Sequence, residues 1–322
     1  MRKPEENPEG QSQGQPEGHK DEARPSRRDF VRLSGVTGAA ALLAGAGGGT
    51  SLAAGTDHTQ QGGNLPLSSP TPSPSASPCP KPSTACGDPN EQGVLLWDKV
   101  RVCLKQKQPP PQTSCLNTTA HYVILHGSPE TDHNYLLVPT CRIKGIECPF
   151  IWGPPAYPFY WNDAWNEAQA SGAAPVKYSD IGLGINSKKD RTEQQLHIHM
   201  AGILPGVQGQ LNKLEKSGDI TSDPKKWQQQ IMPVEGFDHK KKQKVTRTYR
   251  ALVLTGKADL NQNMFQFLGR YVTAAQADME NQTMVVTPRN AGGFYVLNSD
   301  PALSGGGTGT CDLLLVYDKA NQ

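Results

Sequence analysis

The chain carries almost no net charge: 32 Lys and Arg against 30 Asp and Glu leave +2 over 322 residues. Without an RNA- or DNA-reading signature, that balance argues against nucleic acid as a partner and makes any phosphate recognition local. The seven cysteines (79, 86, 103, 115, 141, 148 and 311) contain no CxxC pair, so the usual spacing of zinc ribbons and redox dithiols is missing. The N-terminal apolar run is nearer ~14 residues than the ~20 that would span a bilayer. The first quarter of the chain is too polar to join a core.

The N-terminal stretch reads instead as an address. Ser26-Arg27-Arg28-Asp29-Phe30-Val31-Arg32 precedes an Ala/Leu/Gly run and a small-x-small site at Ser51-Leu52-Ala53. Basic, weakly apolar, then small is the order of a signal sequence, and the paired arginines specify the twin-arginine export machinery of bacteria. Residues 1–54 are therefore expected to be the signal region. Residues 55–85, with Pro66, Pro70, Pro72, Pro74, Pro78, Pro80 and Pro82, form a solvated spacer, and 86–322 is one folded domain. Export fits the cysteines, which read as a disulfide frame. Nearness suggests Cys103–Cys115 and Cys141–Cys148, with Cys86–Cys311 tying the ends and Cys79 left over in the spacer.

Within the domain, Val94 to Leu104 recurs at helical spacing. His121 to His126 and Tyr135 to Thr140 read as a hairpin turned at Gly127-Ser128-Pro129. Trp161, Ala164, Trp165 and Ala168 mark a second helix whose tryptophans read as core, with a base-stacking platform as the alternative. Ile181 to Asn186 is a strand, and its two glycines, Gly182 and Gly184, would leave room for a ligand beside the next strand. Pro205 to Gly218 is a short helix, Pro224 starts another, and Thr248–Leu254, Thr283–Thr287 and Phe294–Leu297 are strands. No repeat of fixed period stands out. The expected fold is α+β, an antiparallel sheet with helices on one side.

The chemistry concentrates in Gln194-Gln195-Leu196-His197-Ile198-His199-Met200. Alternation puts Gln195, His197 and His199 on one face, the imidazoles about 7 Å apart by strand rise. Three readings compete. They could be core histidines with polar partners, or a metal pair completed by His121, His126 or Asp132. The third reading, preferred here, is an imidazole nucleophile attacking phosphorus, with Asn186, Ser187, Arg191 and Thr192 as donors. Arg142 and Glu147 could serve that site or pair with each other. The basic run from Lys240 to Lys244 is a solvated loop or a patch for an anionic lipid surface.

Asn186 followed by His197 inside an alternating H-x-H strand resembles the histidine-triad superfamily. Within it, Leu136 to Pro149 (with Thr140, Arg142-Ile143, Gly145 and Glu147) and Ile185-Asn186-Ser187 through Arg191-Thr192 to His199 look like CDP-diacylglycerol pyrophosphatases. The resemblance implies a histidine-triad-like fold and hydrolysis of CDP-diacylglycerol to CMP and phosphatidate, with no cofactor and no metal. It implies that His197 is the nucleophile and His199 the third triad histidine. The first triad position falls on Gln195, which can hydrogen-bond but cannot carry a proton at neutral pH. Asn186, Ser187, Arg191, Thr192 and Arg142 are the expected substrate contacts, and the membrane surface is the expected meeting place. Turnover of another nucleoside diphosphate conjugate, a non-catalytic lipid- or nucleotide-binding surface protein, and a secreted metal-binding protein are the alternatives.

Overall fold

The computed structural model describes residues 79–106, 115–154 and 156–317. The twin-arginine region and most of the spacer lie outside the described residues. In chain order the elements are α1 (Leu95–Lys105), β1 (Cys115–Thr118), β2 (Tyr122–Thr131), β3 (Asn134–Pro139), α2 (Tyr160–Ala168), β4 (Ile181–Ile185), β5 (Ile198–Ile203) and α3 (Pro205–Lys216). Then come β6 (Ile231–Asp238), β7 (Gln243–Leu254), α4 (Met264–Tyr271), α5 (Thr273–Ala277), β8 (Thr283–Pro288), β9 (Phe294–Ser299) and β10 (Leu315–Val316).

The strands form one antiparallel sheet in the order β1-β2-β3-β5-β4-β8-β9-β7-β6, with β10 paired to β5. The α+β expectation holds, but helices cover both faces rather than one. Ile198 and Met200 of β5 face a core that includes Trp161 and Ala164 of α2 and Phe265 and Leu268 of α4. Ala201 and Ile203 face the other way, with Val207 and Leu211 of α3. Further along that second face, Leu96, Trp97 and Val100 of α1 cover Val123, Leu125 and Val138. A sheet whose central strands are apolar on both sides needs two covers, and each large side chain buried there contributes about 1.5–3 kcal/mol.

The sheet order holds a repeat that the sequence hides. One half runs β2-β3-β5-β4, with α2 crossing between β3 and β4; the other runs β6-β7-β9-β8, with α4 and α5 crossing between β7 and β8. The halves meet where β4 pairs with β8, at Gly184 and Val285. β9 is the counterpart of β5, yet Phe294 to Ser299 contains no histidine, so only one half carries the imidazoles.

Two local expectations change. β2 continues through Gly127-Ser128-Pro129, and the hairpin turns at Asp132-His133 instead, because Asn134 still pairs with Thr131. The disulfides are Cys79–Cys141, Cys86–Cys148 and Cys103–Cys115, while Cys311 is free and buried. Cys103–Cys115 is as expected, but Cys141 and Cys148 each reach back to the segment before α1, and Cys79 belongs to the frame. Two bridges of separation 62 clamp that segment onto the loop after β3, each worth about 4 kcal/mol by loop entropy. Three disulfides fit an oxidising, extracellular or periplasmic environment.

Candidate active site

β5 lies between β3 and β4, with His199 opposite Leu136 on one side and Gly184 on the other. His197 sits one residue before the strand begins, and its ring meets that of His199 edge-on, centroids 4.8 Å apart. His197 is buried, and its Nδ1 lies 2.7 Å from the main-chain oxygen of Gln195. A carbonyl oxygen only accepts, so Nδ1 carries the proton and Nε2 keeps its lone pair. Burial, reinforced by the neighbouring His199, pushes the His197 ring down to about 3. Burial also lowers His199. Both rings are neutral at ordinary pH.

Asn186 follows β4 and orients the second ring. Its Oδ1 accepts from the backbone N–H of Cys311 at 2.8 Å and from Thr310 Oγ1 at 3.0 Å, which fixes which end of the amide is oxygen. Its Nδ2 therefore donates to Asp312 Oδ1 at 3.3 Å and points at His199 Nε2 at 3.5 Å. Neutral His199, with Nε2 facing a donor, then carries its proton on Nδ1. The Tyr317 hydroxyl donates to the same Asp312 oxygen at 2.7 Å. Burial alone would raise the Asp312 carboxyl, but His199, Tyr317 and Asn186 hold it below the usual carboxylate range.

The position expected from the resemblance to be a first triad histidine has a different use. Gln195 is fully buried, and its Nε2 donates to Cys141 O at 3.0 Å and Pro139 O at 3.3 Å. Its Oε1 accepts from Arg142 Nη1 at 3.1 Å and from Ile143 N at 3.4 Å. The amide is thus consumed in bracing the loop after β3, while its main chain holds His197.

The two arginines are also committed. Arg142 is buried, bonds the Gln194 carbonyl and pairs with Glu91 at 2.9 Å, not with Glu147. Arg191 forms a two-pronged pair with Glu147 at 2.7 and 2.5 Å and bonds Gln194 Oε1 at 3.0 Å. This pair is buried on both sides, so Arg191 is not an exposed turn residue, and its positive charge is felt by His197. Gly145 is required there, because a Cβ would collide with both partners. Ser187 is buried, donating to Asp190 Oδ2 at 2.8 Å, and Thr192 is exposed in the following turn.

The space beside Gly182 and Gly184 is not open for a ligand: a Cβ at Gly184 would meet Cys311 Cβ at 2.7 Å, and one at Gly182 would meet Leu315. The returning C-terminal segment fills it. His121 stacks on Tyr157, His126 lies by Tyr135, and Asp132 contacts His133, so the hairpin supplies no third ligand for the imidazoles. Thr310, Cys311, Asp312 and Tyr317 are the site residues that sequence reading missed. The visible hint was a glycine-rich turn, Gly305-Gly306-Gly307-Thr308-Gly309, ahead of an odd cysteine. A cavity of about 270 Å³ beside the site is lined by Asp190, Thr310, Asp312 and Tyr317 and, from the other half of the sheet, His239 and Lys240.

The sequence matches the family model of CDP-diacylglycerol pyrophosphatase over residues 91–315, well over half of the chain. The chain belongs to that family. CDP-diacylglycerol pyrophosphatases are hydrolases of a lipid nucleotide, so the enzyme's reaction is hydrolysis of CDP-diacylglycerol. The matched span contains every residue of the cluster described above except Tyr317.

Proposed function

We propose that His197 Nε2 is the nucleophile of this CDP-diacylglycerol hydrolysis. The observation that carries the reading is the 2.7 Å contact from His197 Nδ1 to the Gln195 carbonyl, which presents a neutral imidazole with its free lone pair on Nε2. Nε2 attacks the cytidylyl phosphorus. An N–P bond forms as the bridging O–P bond breaks, and phosphatidate leaves with the bonding pair as a phosphate monoester anion. Water then attacks the same phosphorus, the N–P bond breaks, CMP departs and the water's proton passes to solvent.

His199 Nδ1–H, held by Asn186, donates to a non-bridging oxygen as charge builds there. Arg191 spends its Nη donors on Glu147 and Gln194, so it acts on the phosphate through the residual field of the pair and by holding the turn before β5. Phosphatidate is a monoester that leaves without full protonation, which is why Gln195 can serve as a brace rather than an acid. Ser187 supports the turn through Asp190, while Thr192 is the turn's exposed hydroxyl. Export by the twin-arginine route, a signal region ending at residue 54, a domain that begins by Cys79, which is bridged to Cys141, and work at a membrane surface complete the reading.

The test is CMP release from CDP-diacylglycerol in detergent micelles, by the full chain and His197→Ala side by side in EDTA, with CDP-ethanolamine as a soluble competitor. Turnover by the wild type alone supports the reading. Equal turnover by both proteins overturns the nucleophile, and preference for the soluble conjugate overturns the lipid substrate.

A further inference from the structure

Cys311 has no role in the reaction above, yet it is buried beside it. It is the one thiol left by three disulfides. Its side chain packs where Gly184 lacks a Cβ, and Gly184 pairs directly with His199. One donor atom from each of His199, Cys311 and Asp312 lies within 4.8 Å of the others, the one such group among the described residues.

We propose that His199, Cys311 and Asp312 form a reversible site for one thiophilic divalent cation of the zinc class, whose occupation switches the hydrolase off. An imidazole nitrogen, a thiolate and a carboxylate oxygen are the donors zinc takes, and three protein ligands leave one position for water. The thiolate discriminates against magnesium and calcium, which prefer oxygen.

The neighbours of the ligands already hold them in place. Tyr317 and Asn186 donate to Asp312, and the backbone N–H of Cys311 is anchored on Asn186 Oδ1. Such supporting bonds orient metal ligands and strengthen binding. The cavity lined by Thr310, Asp312 and Tyr317 gives the cation its way in. On binding, the S–H bond of Cys311 breaks, the sulfur–metal bond forms and the proton leaves to solvent.

The switching half of the proposal rests on the reading of His199 as a phosphate-holding group; the binding half does not. A bound cation takes His199 Nε2, draws the ring toward Cys311 and Asp312 and replaces its 3.5 Å contact with Asn186 Nδ2, while Asn186 keeps its bonds to Asp312 and to the Cys311 N–H. The Nδ1–H that would steady the phosphate beside His197 is then turned away from substrate.

The experiment titrates the EDTA-stripped full chain with cadmium and follows the near-ultraviolet cadmium–thiolate absorption, with CDP-diacylglycerol hydrolysis measured in parallel with zinc. The expected result is a band that saturates at one equivalent, is absent in Cys311→Ser and needs excess metal in Asp312→Asn. Zinc should lower wild-type hydrolysis at least tenfold, reversed by EDTA, and should leave Cys311→Ser uninhibited. No band in the wild type, or a band that survives Cys311→Ser, overturns the site without depending on any variant's activity. A one-equivalent band with unchanged hydrolysis overturns the switch. Absence of hydrolysis in metal-free wild type overturns the proposed reaction instead, while the band still judges the site.

Discussion

His197 Nδ1 lies 2.7 Å from the main-chain oxygen of Gln195, two residues earlier in its own chain. The bend that brings these atoms together places His197 just outside β5, so its ring tilts toward His199 instead of standing a strand repeat away. Nucleophile geometry therefore depends on Gln195 through its backbone, and that backbone depends on the Gln195 side chain bracing the loop after β3.

Replacing the nucleophile removes the covalent step. His197→Ala should lower CMP release by at least ~10³-fold, the usual scale for losing a nucleophile that acts as part of a unit. Quenching the wild type in alkaline detergent during turnover of substrate labelled in the cytidylyl phosphate should leave an acid-labile, base-stable label on the protein. Its absence from the wild type under turnover would argue for direct attack by water.

The lowered His197 pKa has two separable consequences. The unfolded chain titrates this ring near 6.5 and the folded chain near 3. Between those values the unfolded state binds a proton that the folded state does not, so acid favours unfolding. The contribution is fully present above 6.5 and is lost as pH falls toward 3. Thermal melts from pH 7 to 4.5 should show a smaller decline for His197→Gln than for the wild type. The acid limb of kcat/KM should lack a step near 6.5, because the nucleophile stays unprotonated there. A step at that pH would mean that an exposed, ordinary imidazole does the chemistry.

Gln195 has no spare hydrogen-bonding capacity, which decides what its replacement does. An imidazole cannot reproduce two donors and a doubly used acceptor at that spot, so Gln195→His should destabilise the domain and not gain activity. Gln195→Leu strands the carbonyls of Pro139 and Cys141 and the Ile143 N–H, at about 1–3 kcal/mol for each buried group left unpaired. Differential scanning calorimetry checks the stability, and a rise in kcat for Gln195→His would restore the view of this position as a vacated acid.

How far the sequence carried depends on the range of each interaction. α1, α2 and β4 were legible because Leu96, Val100, Trp161, Ala164, Leu183 and Ile185 mark their faces by local period. The histidine strand was legible for the same reason, and Asn186 through its motif. Asp312 and Tyr317 were not, because they meet Asn186 and His199 only after the chain returns across more than a hundred residues. β6 was hidden by Pro233, Glu235 and Gly236, which suit a strand at the sheet edge but break a strand-like run. The disulfides followed tertiary proximity: Cys141 and Cys148 are neighbours in sequence, yet the loop holding them receives the segment before α1, so each finds a distant partner.

Arg191 and Glu147 offer the sharpest separation of structure from chemistry. Both side chains are buried, so removing one partner leaves an uncompensated charge: Glu147→Gln alone should cost about 3–5 kcal/mol. The double variant Glu147→Leu with Arg191→Met replaces the pair by apolar groups of similar size and should recover most of that stability. It should not recover turnover, because the positive field that reaches His197 and the turn leading into β5 have lost the guanidinium. Urea unfolding and CMP release on the same samples measure the two effects independently. If the double variant regains both stability and rate, Arg191 is a scaffold residue, and the charge that steadies the phosphate comes from elsewhere around the cavity, where Lys240 is part of the wall.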